Sequence, residues 1–231
     1  MVGHRLPSAS DSAEQLSETA EHYLEAIYYI RHEGEVPRPA GLAEWTGVSP
    51  PTVTVALQRL ARDGWVTLAK DRSVALTAAG EAAAAGIVRR HRLLERWLVD
   101  GLGLDWAAAD REASRLAHGA SEVVLARLDE LLAHPRCCPH GNPIPGRGEV
   151  PTDLVCLDRL PLDLPATVVR ISEVAEHEAP QLLLLLLRLG VTPGRTLRLR
   201  SGGPSLRVEV EGNPVELDRA AARAVWVAPA G

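Results

Sequence analysis

The sequence predicts a mainly α chain with an α+β part: an N-terminal winged helix-turn-helix, an all-helical dimerisation domain and a C-terminal SH3-like small β-barrel. Three observations predict it. Ser49 to Thr77 reads as a short helix, a Gly-broken corner and a tight two-stranded ribbon. Gly80 to about Ala133 carries helical apolar spacing, interrupted at Gly101-Leu102-Gly103. Beyond a Pro/Gly-rich stretch, short β-type runs alternate with turn residues around one helix, the pattern of a small barrel.

Residues 1–17 are polar and read as a flexible N-terminus, followed by a first domain over 18–79. Glu18 to Arg31 is a helix with Tyr23, Ala26, Ile27 and Ile30 inward. After the breaker Pro37-Arg38-Pro39, Leu42, Ala43, Trp45 and Val48 mark a shorter helix, with Gly47 at the turn. Ser49 suits an N-cap and Pro50 the first helical position, and Val53, Ala56, Leu57 and Leu60 form the buried stripe of the next helix. Thr52, Thr54, Val55, Gln58 and Arg59 are left outward, suited to phosphates and base edges. Asp63-Gly64 stops that helix, and Trp65–Leu68 and Val74–Thr77 flank the polar tip Lys70-Asp71-Arg72-Ser73.

Charge agrees with a duplex-binding role for this segment only. The 231-residue chain has a formal net charge of -5, which excludes a general polyanion coat. Between Arg38 and Leu76, the five cations Arg38, Arg59, Arg62, Lys70 and Arg72 face the three carboxylates Glu44, Asp63 and Asp71, a local net of +2. So small an excess calls for two copies to gather enough phosphate contacts.

The middle domain, 80–134, has a second long helix whose stripe runs from Ala113 through Leu116, Ala120, Val123, Val124 and Leu128 to Leu131. Five turns of stripe need a partner helix, and a homodimer supplies one. Residues 135–164 read as an ordered tether rather than a secondary element. The last domain, 165–231, has strands at Thr167–Ile171, Thr196–Arg200, Leu206–Val210 and Ala224–Val227, with one helix over Val174–Leu189. Hydrophobic content of 46% supports real cores, and the longest apolar run, Leu182–Leu187, is far short of the ~18 to 20 residues of a membrane span. No export signal is visible and the three cysteines form no disulfide framework, so the expected compartment is a reducing cytoplasm, without membrane contact.

Candidate chemistry sits in the helical domain. His91 and Glu95, four apart, project from one helix face, and Asp110, Ser114 and His118 repeat that spacing on the next helix. Imidazole with carboxylates suits Fe(II), Mn(II), Co(II) or Zn(II). Either pair alone describes a solvated helix face equally well; a site requires both helices to converge.

Taken together, the winged helix with DRSVALT in its wing, RRHRLLE at 89–95, the DREAS...H helix at 110–118, the tether GNPIPG and the C-terminal β domain resemble the diphtheria toxin repressor family of metal-dependent transcription regulators. The match runs over nearly all of 18–231. The resemblance implies a homodimer that binds a divalent metal, Fe(II) or Mn(II) first, and then a palindromic double-stranded DNA operator, as one or two dimers, repressing metal-uptake genes. It implies an ancillary metal site at His91, Glu95, Asp110, Glu178 and Gln181. It also implies a primary site at His22, Glu25, Ser114 and His118, degraded because Ser114 and Ala117 stand where the family carries stronger ligands. Cys137, Cys138 and His140 read as a tether element, with thiolate ligation as the alternative. Ser49, Pro51 and Val55 are expected near bases, and Thr52, Thr54, Gln58, Arg59 and Arg72 near phosphates. Two rival readings are a metal-independent DNA-binding regulator and a metal-dependent hydrolase; no nucleophile or oxyanion-stabilising loop accompanies the latter's four residues, so no enzyme is expected.

Overall fold

The computed structural model describes residues 16–148 and 151–230; the expected flexible N-terminus lies almost wholly outside the described residues. Three apolar cores organise the chain.

In the first, α1 (Glu18–His32) starts at Ser17, whose hydroxyl accepts the Ala20 N–H, and carries acids in its first turn and bases in its last, as the helix dipole favours. Helix α2 (Pro39–Thr46) ends on Gly47 at φ 66°. Helix α3 (Pro50–Arg62) is capped by Ser49 and buries Val53, Leu57 and Leu60 against α1 and α2. The wing is an antiparallel pair, β1 (Val66–Leu68) and β2 (Val74–Leu76). Its tip is fastened to the start of α2 by Arg38, which donates to the Asp71 carbonyl at 2.6 Å and to its carboxylate at 3.3 Å. The wing is followed by α4 (Ala78–Leu102), which begins hard against the corner before β1: a Cβ on Gly80 would fall 1.9 Å from the Trp65 carbonyl oxygen.

Helix α4 is the spine of the molecule, and α5 (Trp106–Ala117) and α6 (Glu122–Leu131) pack on it. The expected five-turn helix is in fact two. Ser121 accepts the Val124 N–H as the N-cap of α6, so the helix must end at Ala117 and restart. Val123 and Leu131, 74% and 72% exposed, form an apolar face with no cover among the described residues.

The tether folds back on itself and docks on the next domain. Cys138 N–H donates to the Asn142 carbonyl, Ile171 N–H to the His140 carbonyl, and the Asn142 amide to the Ile171 carbonyl, each at 2.9 Å. Gly141, at φ +88°, lies so close to the next domain that a Cβ would sit 2.0 Å from the Val169 carbonyl oxygen. Contrary to the sequence reading, 135–164 contains regular structure: β3 (Val155–Cys156) and a 3₁₀ turn (Leu157–Arg159).

The C-terminal domain is a six-stranded antiparallel sheet of order β3-β8-β4-β5-β6-β7, comprising β4 (Pro165–Ile171), β5 (Thr196–Ser201), β6 (Ser205–Val210), β7 (Asn213–Asp218) and β8 (Val225–Pro229). Strand β7 was not foreseen. The helix expected over Val174–Leu189 is broken into α7 (Glu173–Glu178) and α8 (Pro180–Arg188), because Pro180 has no N–H to continue the ladder and Ala179 is forced to φ -140°, ψ 69°. A short α9 (Arg219–Arg223) precedes β8. Trp106 and Ala107, at the start of α5, are buried in this domain's core rather than in the helical one.

Buried ion pairs fasten the C-terminal domain to the rest. The Glu33 carboxylate, in the residue that caps the end of α1, accepts from the Arg170 guanidinium at 2.6 and 3.3 Å, from the Glu173 N–H at 3.2 Å and from the Trp226 indole at 3.1 Å. Arg92 of α4 donates to Glu173 at 2.9 Å. No helix among the described residues is long and apolar enough to cross a membrane.

Candidate metal centre and nucleic-acid interface

Helices α1, α4 and α5 converge with α7 around a cavity of about 310 Å³. His91 and Glu95 are no solvated face: they are 8% and 2% exposed and point from α4 into this space. His91 Nε2 lies 3.4 Å from Asp110 Oδ1 of α5, and its Nδ1 lies 3.9 Å from Glu25 Oε1 of α1. Burial alone would lower the His91 pKa. The hydrogen bond to Asp110 and the negative charges of Glu25, Glu95 and Asp110 outweigh burial and push it up to about 10, so the ring is a cation held among carboxylates.

Among the described residues, two groups of three place ligand atoms within 4.8 Å of one another: His91, Glu95 and Asp110, and Glu95, Cys138 and His140. Glu95 belongs to both. Its Oε1 is 2.9 Å from His140 Nδ1, and although burial would raise its carboxyl, the charges of His140 and His91 hold it below the ordinary carboxylate value. The second group was hidden in sequence because 43 residues separate Glu95 from Cys138; the Cys-Pro-His spacing at 138–140 was the available signal.

His22, Glu25, Ser114 and His118 all line the same cavity, but the structure pairs them differently from the sequence expectation. Glu25 faces His91 and accepts the Tyr29 hydroxyl at 3.1 Å. His118 Nδ1 instead meets Glu21 at 3.1 Å, and Glu21 also accepts from Arg90 at 2.7 Å. Glu21, not singled out from sequence, lies one helical turn before Glu25. Burial lowers the His22 pKa, with Glu25 opposing and His177 assisting, which keeps this ring neutral and able to donate a lone pair. Ala117 is buried and contributes nothing polar.

The C-terminal domain reaches the cavity through Glu173 and His177. Gln181 is exposed on α8 and is not among the residues lining the cavity; the break at Ala179-Pro180 ends α7 before it. The Glu178 side chain lies outside the described positions. His177 packs its ring flat on Trp45 of α2, centroids 4.0 Å apart and planes 1° from parallel, with Nε2 at 2.7 Å from the Trp45 carbonyl oxygen.

The donor set fits a divalent transition ion. Imidazoles and carboxylates converge in a cavity whose lining has more acids than cations, and Glu95 joins this lining to a second group that adds the Cys138 thiol and the His140 ring.

On the other side of the first domain, Ser49, Pro51, Thr52, Thr54, Val55, Gln58, Arg59 and Arg72 are all exposed. The Ser49 and Thr52 hydroxyls are 2.8 Å apart and Thr54 donates to the Pro50 carbonyl at 2.9 Å, so these three are partly committed to the helix itself. Val55, 67% exposed in mid-helix, is an apolar side chain offered to solvent. Arg72 sits at the wing tip at φ 67°.

Comparison with known proteins agrees with this organisation. Residues 15–74 match the family described as "Iron dependent repressor, N-terminal DNA binding domain", residues 77–146 "Iron dependent repressor, metal binding and dimerisation domain", and residues 155–229 "FeoA domain". The chain is 38% identical over 211 residues to the iron-dependent repressor IdeR of Mycobacterium tuberculosis, covering 87% of this chain and 86% of that one. It is 37% identical over 221 residues to the diphtheria toxin repressor of Corynebacterium glutamicum, covering 92% and 96%. Among solved structures, a manganese-dependent transcriptional repressor in complex with manganese superposes with a TM-score of 0.80 at 34% identity, covering 91% of this chain and 100% of that one. With two iron-dependent repressor models and the FeoA model matched in succession along the chain, and relatives 37–38% identical over most of its length, the chain belongs to the diphtheria toxin repressor family of metal-dependent regulators.

Proposed function

We propose that this protein is a metal-dependent transcriptional regulator of the cytoplasm, not an enzyme, that represses metal-uptake genes. It binds a palindromic operator as a homodimer, one or two dimers per operator, when loaded with a divalent ion, Fe(II) or Mn(II) first. One observation carries the reading: a single acid-lined cavity is walled by α1 of the DNA-binding domain, by α4 and α5 of the helical domain and by α7 of the C-terminal domain.

His91, Glu95 and Asp110 hold the ion, with Cys138 and His140 on the far side of Glu95. His22, Glu25, Ser114 and His118 form the second, weaker group, and Glu178 and Gln181 are kept as ligands of the first on family grounds. The ion supplies positive charge among carboxylates. Everything else is done by the chain: donors from three units drawn to one point select one arrangement of those units, and the population shifts by no more than the difference in affinity between arrangements. In the domain division proposed here, 18–79 reads DNA, 80–134 dimerises and binds metal, 135–164 tethers, and 165–231 closes the site. The exposed α6 face at Val123 and Leu131 supports pairing of two copies, which sets the two α3 helices about one turn of DNA apart, ~34 Å. Ser49, Pro51 and Val55 meet base edges, Val55 by apolar contact with a thymine methyl; Thr52, Thr54, Gln58, Arg59 and Arg72 meet phosphates.

A second reading, metal-independent DNA binding, is favoured by one observation: a protonated His91 already stands between Asp110 and Glu25, so its proton supplies at that point the positive charge an ion would bring. Anisotropy of a labelled promoter fragment, titrated with protein in Mn(II) or anaerobic Fe(II) and again with chelator, separates the two. The primary reading expects tightening on metal addition in wild type and its loss in Glu95→Gln; equal affinity with and without chelator overturns it.

A further inference from the structure

The cavity's α5 wall is poor in donors. Ser114 is exposed, Ala117 is apolar, and His118 is engaged with Glu21. On the opposite wall stands His177, contributed by α7 and outside every ligand set considered so far.

Three features make His177 suited to ligation. Its Nε2 faces the Trp45 carbonyl, an acceptor only, so Nε2 is the donor there and Nδ1 is the nitrogen left over for a metal. A ring nitrogen fixed by a backbone carbonyl is the usual second contact of a metal-binding histidine, because it sets tautomer and orientation together. The flat stack on buried Trp45 holds the ring plane. The third feature is its neighbour: the His22 ring lies edge-on to it, centroids 6.4 Å apart and planes 82° apart. With metal–nitrogen bonds of about 2.1 Å, two imidazole centroids on one ion stand at most roughly 6.4 Å apart, and closer when cis. The observed spacing is at the outer edge of the coordinating range; the ligand atoms of His22, Glu25 and His177 are not mutually within 4.8 Å, so ligation requires the exposed His22 side chain to turn towards His177.

The geometry points to His177 Nδ1 as a ligand of the ion held by His22 and Glu25, replacing the donors that Ser114 and Ala117 do not supply. The inference rests on the metal-dependent reading above. It adds an imidazole to this group, which favours Co(II), Zn(II) or Fe(II) over Mn(II). It also makes the C-terminal domain, through Trp45, a direct partner of the helix-turn-helix.

Cobalt(II) is a suitable probe. Apo full-length protein is titrated anaerobically with Co(II), following visible absorption for stoichiometry and affinity and proton NMR for paramagnetically shifted imidazole N–H signals. The Nε2–H of His177, shielded by Trp45, should give one such signal. His177→Phe keeps a ring for the stack but no donor; it should lose that signal and bind the second Co(II) at least ~10-fold more weakly, leaving the first equivalent intact. His177→Gln, should the Phe variant fold poorly, should show the same losses. Unchanged shifted signals and second-ion affinity within twofold of wild type in a folded variant overturn the assignment. Metal-independent operator binding by wild type with these Co(II) results intact would instead overturn the regulatory reading and leave His177 as a ligand.

Discussion

Removing the Glu33 carboxylate should undo the docking of the C-terminal domain on α1. Glu33 and Arg170 side chains are 8% and 6% exposed, and the guanidinium's remaining neighbours are the Asn142 amide oxygen at 3.5 Å and the Trp226 ring, whose centroid is 4.6 Å away. Neither neutralises a buried cation. Breaking one partner out of a buried pair costs about 3–5 kcal/mol, chiefly because the other charge stays behind unpaired. Glu33→Ala also strips the acceptor from the Trp226 indole and the Glu173 N–H, placing the expected cost in the upper half of that range. Because three cores need not unfold together, a global midpoint is the wrong readout. Hydrogen exchange is better: the Gly34 N–H, bonded to Arg31 at the end of α1, should exchange at least about 10²-fold faster, the equivalent of about 3 kcal/mol. Glu33→Leu combined with Arg170→Leu should recover most of the loss, since no lone charge is then buried. A change below about 1 kcal/mol in Glu33→Ala would refute the claim that this pair fastens the domains.

Other outcomes follow from the same geometry. Metal binding at His91 must displace its proton; with a folded pKa near 10 against an ordinary 6.5, calorimetry at pH 7 in buffers of different ionisation enthalpy should show about one proton released for this residue. The sign for the apo protein is that of a raised pKa: this group's contribution to stability is complete below pH 6.5 and is lost as pH climbs towards 10, so apo stability should fall across that window in His91-containing protein and not in His91→Gln. Arg72→Gly suits the wing tip's φ of 67° and should leave stability unchanged while weakening all sequences alike and lowering the salt slope by about 1; Val55→Gln should alter base preference, and sequence-blind losses for both would overturn their roles. Gly80→Ala should destabilise by more than the ~1 kcal/mol gained in helix propensity, because α4 must move off the Trp65 carbonyl; a neutral or stabilised variant in thermal melts would contradict the 1.9 Å approach.

The helices of the first domain were readable because local signals coincide there: a cap at Ser49, a proline at N1 and a stripe at Val53, Leu57 and Leu60. The restart at Ser121 was equally local, and the continuous stripe on either side of it masked the cap. Strand β7 was missed because Pro214 and Glu216 leave only Val215 and Leu217 to show alternation. The candidate site was readable only as halves. His91 and Glu95 declare a shared face through spacing, but nothing local states that Asp110 stands opposite them, that Cys138 and His140 close behind Glu95, or that Glu25 meets His91 rather than His118. Those are consequences of packing between elements far apart in the chain. Contacts such as His177 to Trp45 and Arg170 to Glu33, each more than 130 residues apart, have no periodicity to betray them.

Helix α5 has divided ownership: Trp106 and Ala107 plug the core of the β domain, while Asp110 and His118 further along serve the cavity. A chain severed in the tether would therefore not leave two tidy modules. One fragment would carry an orphaned indole on its surface and the other a hole where it belonged, so truncations meant to isolate the DNA-reading half should be expected to clump, and co-expressed halves to find each other again.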